Sequence, residues 1–180
     1  MEFELVPPPL QAWSTLPQRQ LSKIDTVMFH RIGPELPGIT EPLDAARIAG
    51  WFQTNGMAET GSPNMPYSFV VPAVGPLLWQ AVPLSVRTPH ANAWNGRAVS
   101  VACIGDFRKI RVPTPFQVEA CKWIACRLQD TLQKRLSLEC HSLVPGGTKH
   151  PKGHECPGAK FAKAFNEIER HVRTQFFVTK

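Results

Sequence analysis

Three side chains that lie far apart in the sequence could bind one metal ion. His30 ends the apolar run over residues 26–30, His141 follows a candidate short strand, and Cys156 begins a Cys-Pro-Gly turn. Neutral imidazole and thiolate suit zinc in tetrahedral geometry, and three protein ligands leave the fourth position for water. Taken singly, each residue is more often structural than metal-binding. Together they predict a catalytic zinc site, provided that the fold brings them to one place.

The elements that must position these side chains follow from the hydrophobic pattern. Residues 25–30 and 98–104 predict buried strands, and the second is the nearly continuous apolar run expected of a central strand. Residues 138–140 predict a short strand before His141, and Pro157-Gly158 opens a final helix over residues 159–172. The three candidate ligands could therefore converge at one end of a sheet. The helix that begins beside Cys156 would favour its thiolate.

The remaining pattern completes one α/β domain. Residues 40–55 predict a helix, residues 67–71 and 77–81 predict a hairpin, and residues 114–136 predict a long helix that begins at the N-cap Thr114. This order indicates a single domain in which helices flank a central mixed β-sheet. We expect residues 1–22 to form an arm packed on that domain, which occupies residues 23–180.

Composition limits the kind of partner. The 180 residues carry a net charge of +6, which suggests an anionic partner, but without a dense Lys/Arg run or a basic aromatic stripe we expect no nucleic acid. We expect no membrane span, because no apolar run approaches about 18 residues. We also expect no signal peptide, since the N-terminus is acidic and soon reaches a triple proline. The five cysteines, an odd number, argue against a disulfide framework. We expect a monomer.

Short motifs in a fixed order resemble a known family. They are the runs at residues 27–30, 65–71, 90–95 and 99–107, Pro113-Thr114-Pro115 with Gln117, and His141 with Cys156-Pro157-Gly158. In this order the chain resembles the amidase-2 family of N-acetylmuramoyl-L-alanine amidases, which includes amidase-type phage lysozymes and peptidoglycan recognition proteins. The resemblance covers about residues 24–166. It implies the fold of that family for the domain.

The resemblance implies an activity and a site. It implies a zinc ion held by His30, His141 and Cys156, and hydrolysis of the amide between N-acetylmuramic acid and L-alanine of a peptidoglycan stem peptide. Tyr67, the only tyrosine of the chain, matches family tyrosines that assist near the oxyanion or the water. The partner would be peptidoglycan or a muropeptide. A protein made in the cytoplasm without a signal would reach the cell wall after export or lysis.

The sequence departs from the family pattern between His141 and Cys156. This segment is enlarged, and His154 stands where family members carry lysine or threonine. We expect His154 to stabilise the transition state, with Lys152 as the second candidate and His150 as the third. Either His150 or His154 could also replace His141 as a ligand. On the central strand, Ala102 takes the place of a glutamate found in some cytoplasmic relatives.

Another set of residues is predicted to contact substrate. The resemblance places His90 in the groove of the family, and its neighbours could line the glycan or stem-peptide cleft; the full set is His90, Asn92, Trp94, Asn95 and Arg87. The main alternative to an amidase is a non-catalytic module of the same fold that only binds muropeptides. A different zinc hydrolase is disfavoured because the sequence lacks the His-Glu-x-x-His and Cys-x-x-Cys patterns.

Overall fold

A six-stranded mixed sheet forms the centre of the protein in a computed structural model. The structure describes residues 2–6, 16–32, 66–108, 111–144 and 156–175. The strands are β1 (Glu4–Val6), β2 (Thr26–Ile32), β3 (Phe69–Val71), β4 (Leu77–Gln80), β5 (Ala98–Ile104) and β6 (Ser137–Cys140). Their order across the sheet is β1-β4-β3-β5-β2-β6.

The long strands β5 and β2 lie at the centre of a parallel block. Strands β3, β5, β2 and β6 run parallel, β4 is antiparallel to β3, and β1 is parallel to β4. All seven residues of β5 are buried, as the continuous apolar run predicts for a strand covered on both faces. The prediction of an α/β domain with a central mixed sheet is confirmed.

One face of the sheet packs against two helices, α1 (Pro115–Leu132) and α2 (Ala162–Gln175). Phe29 of β2 contacts this layer, with ring centroids 5.9 Å from Phe161 and 6.0 Å from Phe165. Because side chains alternate along a strand, Met28 and His30 face the opposite side. The side of the sheet that carries His30 is therefore the one away from the two helices.

The two ends of α1 were not predicted equally well. A capping box between Thr114 and Gln117 begins it, close to the predicted start. It ends at Leu132 rather than near Leu136, because Gln133 adopts a left-handed conformation with φ of 51° and turns the chain. Leu136 is then buried in the core before β6 starts.

The N-terminal residues contact the sheet at one place and the loop after β4 at another. Strand β1 pairs with β4, a pairing that the sequence did not predict. Residues 17–19 lie along the loop after β4, where Gln18 forms a bridge with Val86 and the amide of Arg19 donates to the Ser85 carbonyl at 2.7 Å. The predicted helix over residues 40–55 lies outside the described residues. Within the described part of the chain, no helix is long and apolar enough to span a membrane.

Candidate metal centre

Strand register brings the two candidate histidine ligands together. Strands β2 and β6 are parallel with Phe29 opposite Cys140, so the residues that follow, His30 and His141, continue side by side. Their ring centroids are 4.6 Å apart. His30 is 1% exposed, whereas His141 begins a single 3-10 turn at the end of β6 and is half-buried.

The Cys-Pro-Gly turn delivers Cys156 to the same place. The Cys156 carbonyl accepts a hydrogen bond from the amide of Ser142 at 2.8 Å, which ties the turn to the segment that carries His141. Gly158 has φ of +117°, and a Cβ atom there would lie 2.6 Å from the carbonyl carbon and oxygen of Phe107. Only glycine allows this close approach. The turn is therefore anchored at Cys156 itself and at Gly158.

The three candidate ligands form one cluster. One potential ligand atom from each of His30, His141 and Cys156 lies within 4.8 Å of the other two, and Cys156 Sγ is 3.6 Å from His30 Nδ1. Nε2 of His141 is buried and has no hydrogen-bond partner among the described residues. Buried polar atoms normally have a partner. Two imidazoles, one of them with an unpartnered ring nitrogen, and a thiol are a donor set that fits zinc.

Burial sets the protonation of the cluster. It lowers the pKa of His30 well below its usual value, and the neighbouring His90 and His141 act in the same direction. It raises the pKa of the Cys156 thiol, although a hydrogen bond from the Arg31 amide and the charge of that residue oppose this effect. The metal-free site therefore holds neutral imidazole and a protonated thiol at neutral pH. Metal binding would release the thiol proton.

A further histidine, His90, contacts the Nε2 atom of His30. Nδ1 of His90 lies 3.0 Å from His30 Nε2, and Nε2 of His90 lies 3.2 Å from the carbonyl oxygen of Ala98. His90 is 7% exposed, and burial lowers its pKa to about 3. The ring therefore contacts a candidate ligand, and the contact of His90 with substrate stays a prediction.

A buried arginine reaches the same carbonyl. Arg19 is 8% exposed, and its guanidinium donates to the Leu84 carbonyl at 2.7 Å and to the Ala98 carbonyl. Burial lowers its pKa to about 10. Its charge opposes protonation of His90. Arg19 and His90 thus share one acceptor at the start of β5.

Solved structures similar to this one include two kinds of protein. An endolysin N-acetylmuramoyl-L-alanine amidase from Clostridium intestinale aligns with a TM-score of 0.68 at 18% identity, over 96% of this chain and 97% of that one. Drosophila peptidoglycan recognition protein SD aligns with a TM-score of 0.70 at 17% identity, over 92% and 95%. Peptidoglycan recognition protein LE, solved with tracheal cytotoxin, aligns with a TM-score of 0.71 at 18% identity, over 92% of each chain.

The chain has the fold shared by these amidases and recognition proteins. No family model matches the sequence, and no curated protein sequence matches it significantly. The likeness in structure, at these identities, therefore speaks for the fold, which is the fold that the ordered motifs predicted.

Within this fold, Tyr67 lies beside the cluster. Its ring centroid is 5.1 Å from that of His30, and burial together with the nearby Cys156 raises the pKa of its hydroxyl. The hydroxyl is therefore a hydrogen-bond donor at neutral pH. His154, Lys152 and His150, the predicted catalytic candidates, lie outside the described residues.

The other predicted substrate residues occupy the loop before β5. Asn95 is a structural cap, because its Oδ1 accepts the amides of His90 at 3.0 Å and Ala91 at 2.6 Å. Trp94 packs against the buried cluster that contains Met28 and is half-buried, while Asn92 and Arg87 are exposed. The contact of these residues with substrate stays a prediction.

The sequence did not predict the burial of Arg19 or the structural role of Asn95. Asn95 is predicted to contact substrate, and in the structure it also closes the loop by accepting backbone amides, as a capping asparagine commonly does. That chemistry was a usable signal. Arg19 offered none, because nothing in its neighbourhood of the sequence indicates burial.

Proposed function

We propose that the protein is a zinc-dependent amidase that hydrolyses the bond between N-acetylmuramic acid and L-alanine of peptidoglycan stem peptides. The observation that carries the proposal is the convergence of His30, His141 and Cys156, whose ligand atoms lie within 4.8 Å of one another. Three ligands with two half-buried members leave room for a fourth position that substrate and water can reach.

The residues of the site fit amide hydrolysis. A zinc ion bound there would polarise the scissile carbonyl and lower the pKa of a water molecule to about 7. His30 offers an imidazole lone pair, and Cys156 becomes a thiolate as it loses its proton to solvent. Tyr67 keeps its proton because its pKa is raised, so its hydroxyl can donate a hydrogen bond to the oxygen that gains charge.

The substrate class is supported by the proteins that share the fold. They include amidases from Clostridium intestinale and a recognition protein whose structure contains tracheal cytotoxin, a monomeric peptidoglycan. We propose that this chain likewise takes peptidoglycan or a muropeptide, acts as a monomer, and reaches the cell wall after export or lysis. The net charge of +6 suits approach to an anionic wall.

The alternative function is muropeptide binding without cleavage. The recognition proteins with this fold are the reason to consider it. Cys156 favours the enzyme, because a module that only binds peptidoglycan has no need of a thiol beside two imidazoles.

Digestion of purified sacculi tests the proposal. We expect the protein to release stem peptides that begin at L-alanine, to lose this activity with a chelator, and to regain it when zinc is added; mass spectrometry of the soluble products identifies the bond. Sacculi that co-sediment with the zinc-loaded protein but release no peptide would instead support the binding module.

A further inference from the structure

We propose that His90 is a positioning residue, which fixes His30 in the tautomer whose Nδ1 lone pair faces Cys156 and His141. The proposal rests on the proposed function for the identity of the bound ion. The tautomer itself is a property of the metal-free protein. It assigns to His90 a role behind the ligand, in place of a contact with substrate.

The direction of the hydrogen bonds begins at Ala98. A carbonyl oxygen can only accept, so the contact of 3.2 Å requires that Nε2 of His90 carry the hydrogen. In a neutral ring, Nδ1 of His90 then has a lone pair. The contact of 3.0 Å with His30 is therefore a bond donated by His30 Nε2, and this leaves His30 Nδ1 unprotonated.

The opposite arrangement is unfavourable. If Nδ1 of His90 carried the hydrogen, its Nε2 lone pair would face the Ala98 oxygen inside a region where both groups are buried. His30 would then hold its hydrogen on Nδ1, which lies 3.6 Å from Cys156 Sγ and is the atom that would bind the ion. Zinc would have to displace that hydrogen and reverse both bonds.

Two neighbouring residues hold the His90 ring in place. Asn95 accepts the amides of His90 and Ala91, so the loop that carries the ring is closed on itself. The guanidinium of Arg19 donates to the same Ala98 oxygen that His90 contacts. The loop and this shared acceptor thus hold the His90 ring in place.

Nuclear magnetic resonance of the metal-free protein tests the tautomer directly. Long-range proton–nitrogen correlation spectra distinguish protonated from unprotonated ring nitrogens. We expect hydrogen on Nε2 of both His30 and His90. A His30 ring protonated on Nδ1 would overturn the proposal, whether or not the protein binds zinc or cleaves peptidoglycan. Because this measurement uses the unaltered chain, it does not depend on the folding of a variant.

Two variants separate positioning from bulk packing. His90→Leu fills the space but removes the acceptor, and we expect zinc affinity to fall by about 10–100-fold, the usual effect of losing the partner of a metal-binding histidine. His90→Asn places an amide oxygen near the position of Nδ1 and should recover most of that loss. The control His171→Asn alters a histidine of α2 and should leave affinity unchanged.

The two failures are distinguishable. Equal zinc affinity in His90→Leu and the unaltered protein, measured by competition with a chromophoric chelator, would overturn the positioning role while leaving the proposed amidase intact. Absence of zinc binding by the unaltered protein would overturn the amidase proposal, and the tautomer measurement would still decide the role of His90.

Discussion

Phe29 of β2 and Cys140 of β6 are register partners in the parallel sheet, and both side chains are buried against the helical layer. The residue that follows each of them, His30 after Phe29 and His141 after Cys140, is a candidate ligand on the opposite face of the sheet. A shift of one residue in this pairing would turn His141 towards the helices. The packing of Phe29 on Phe161 and Phe165 therefore helps to set the geometry of the proposed zinc site.

Cys156→Ser should abolish tight zinc binding and turnover while the fold survives, because a serine hydroxyl is a poor replacement for a thiolate ligand. Zinc content after dialysis and peptide release from sacculi measure both effects. Cys126→Ser is the matched control, since Cys126 is a half-buried cysteine on α1 that is not part of the cluster. Stoichiometric zinc and full activity in Cys156→Ser would contradict thiolate ligation.

Gly158→Ala should destabilise the protein by about 1–3 kcal/mol, the usual cost of a residue held in an unfavourable backbone region. The added Cβ would also meet the Phe107 backbone at 2.6 Å and push the turn away from the cluster, so zinc affinity should fall as well. Urea denaturation gives the free energy of unfolding. Gly96→Ala serves for comparison, because a Cβ there meets nothing within 4 Å; equal stability losses in the two variants would contradict the steric argument.

Arg19→Met should lower the free energy of unfolding by at least about 1.5–3 kcal/mol, since it removes charged donors from the buried carbonyls of Leu84 and Ala98. Arg97→Met is the informative comparison. Arg97 forms an exposed salt bridge with Asp25 at 2.6 Å, and such pairs contribute about 1 kcal/mol or less. A larger loss for Arg97 than for Arg19 in chemical denaturation would contradict the importance of the buried guanidinium.

Acidification should destabilise the metal-free protein. In the unfolded chain His90 gains a proton below about pH 6.5, but in the folded protein it stays neutral down to about pH 3. The unfolded state binds more protons than the folded state across this window. For one such group, the free energy of unfolding therefore falls by about 1.4 kcal/mol for each unit by which the pH is lowered. Denaturation curves between these limits should show a shallower pH dependence for His90→Leu; parallel lines would refute the low pKa.

His154→Ala should reduce kcat by about 10²–10³ without loss of zinc, as expected when one group that stabilises the oxyanion is removed. His171→Ala, which alters a histidine of α2 outside the cluster, is the control and should retain full activity. Steady-state kinetics on a soluble muropeptide provide the measurement. An unchanged kcat in His154→Ala would transfer the role to Lys152 or Tyr67.

The fold and the three proposed ligands could be predicted because their signals are local. Apolar runs predict β2 and β5, and the Cys-Pro-Gly motif predicts a turn before a helix. The parallel register of β2 and β6 then places His30 and His141 side by side. The end of α1 was misplaced because Gln133, not a glycine, adopts the left-handed conformation that turns the chain.

The support behind the ligands could not be predicted in the same way. Whether His90 faces substrate or His30 depends on how one loop folds against β5, and that is decided by contacts between residues distant in the sequence. Arg19 lies in a segment without periodicity, and an arginine is normally assigned to the surface. Its burial depends on the carbonyls of Leu84 and Ala98, which are distant from it in the sequence.

The guanidinium of Arg19 donates to the Ala98 carbonyl at the start of β5. The arm of residues 1–22 therefore takes part in the proposed catalytic unit. A shortened protein that began at residue 23 would keep every proposed ligand and still lose the charge that helps to hold His90 neutral. Trimming or fusing this end should therefore alter the proposed zinc site, although none of the proposed ligands is removed.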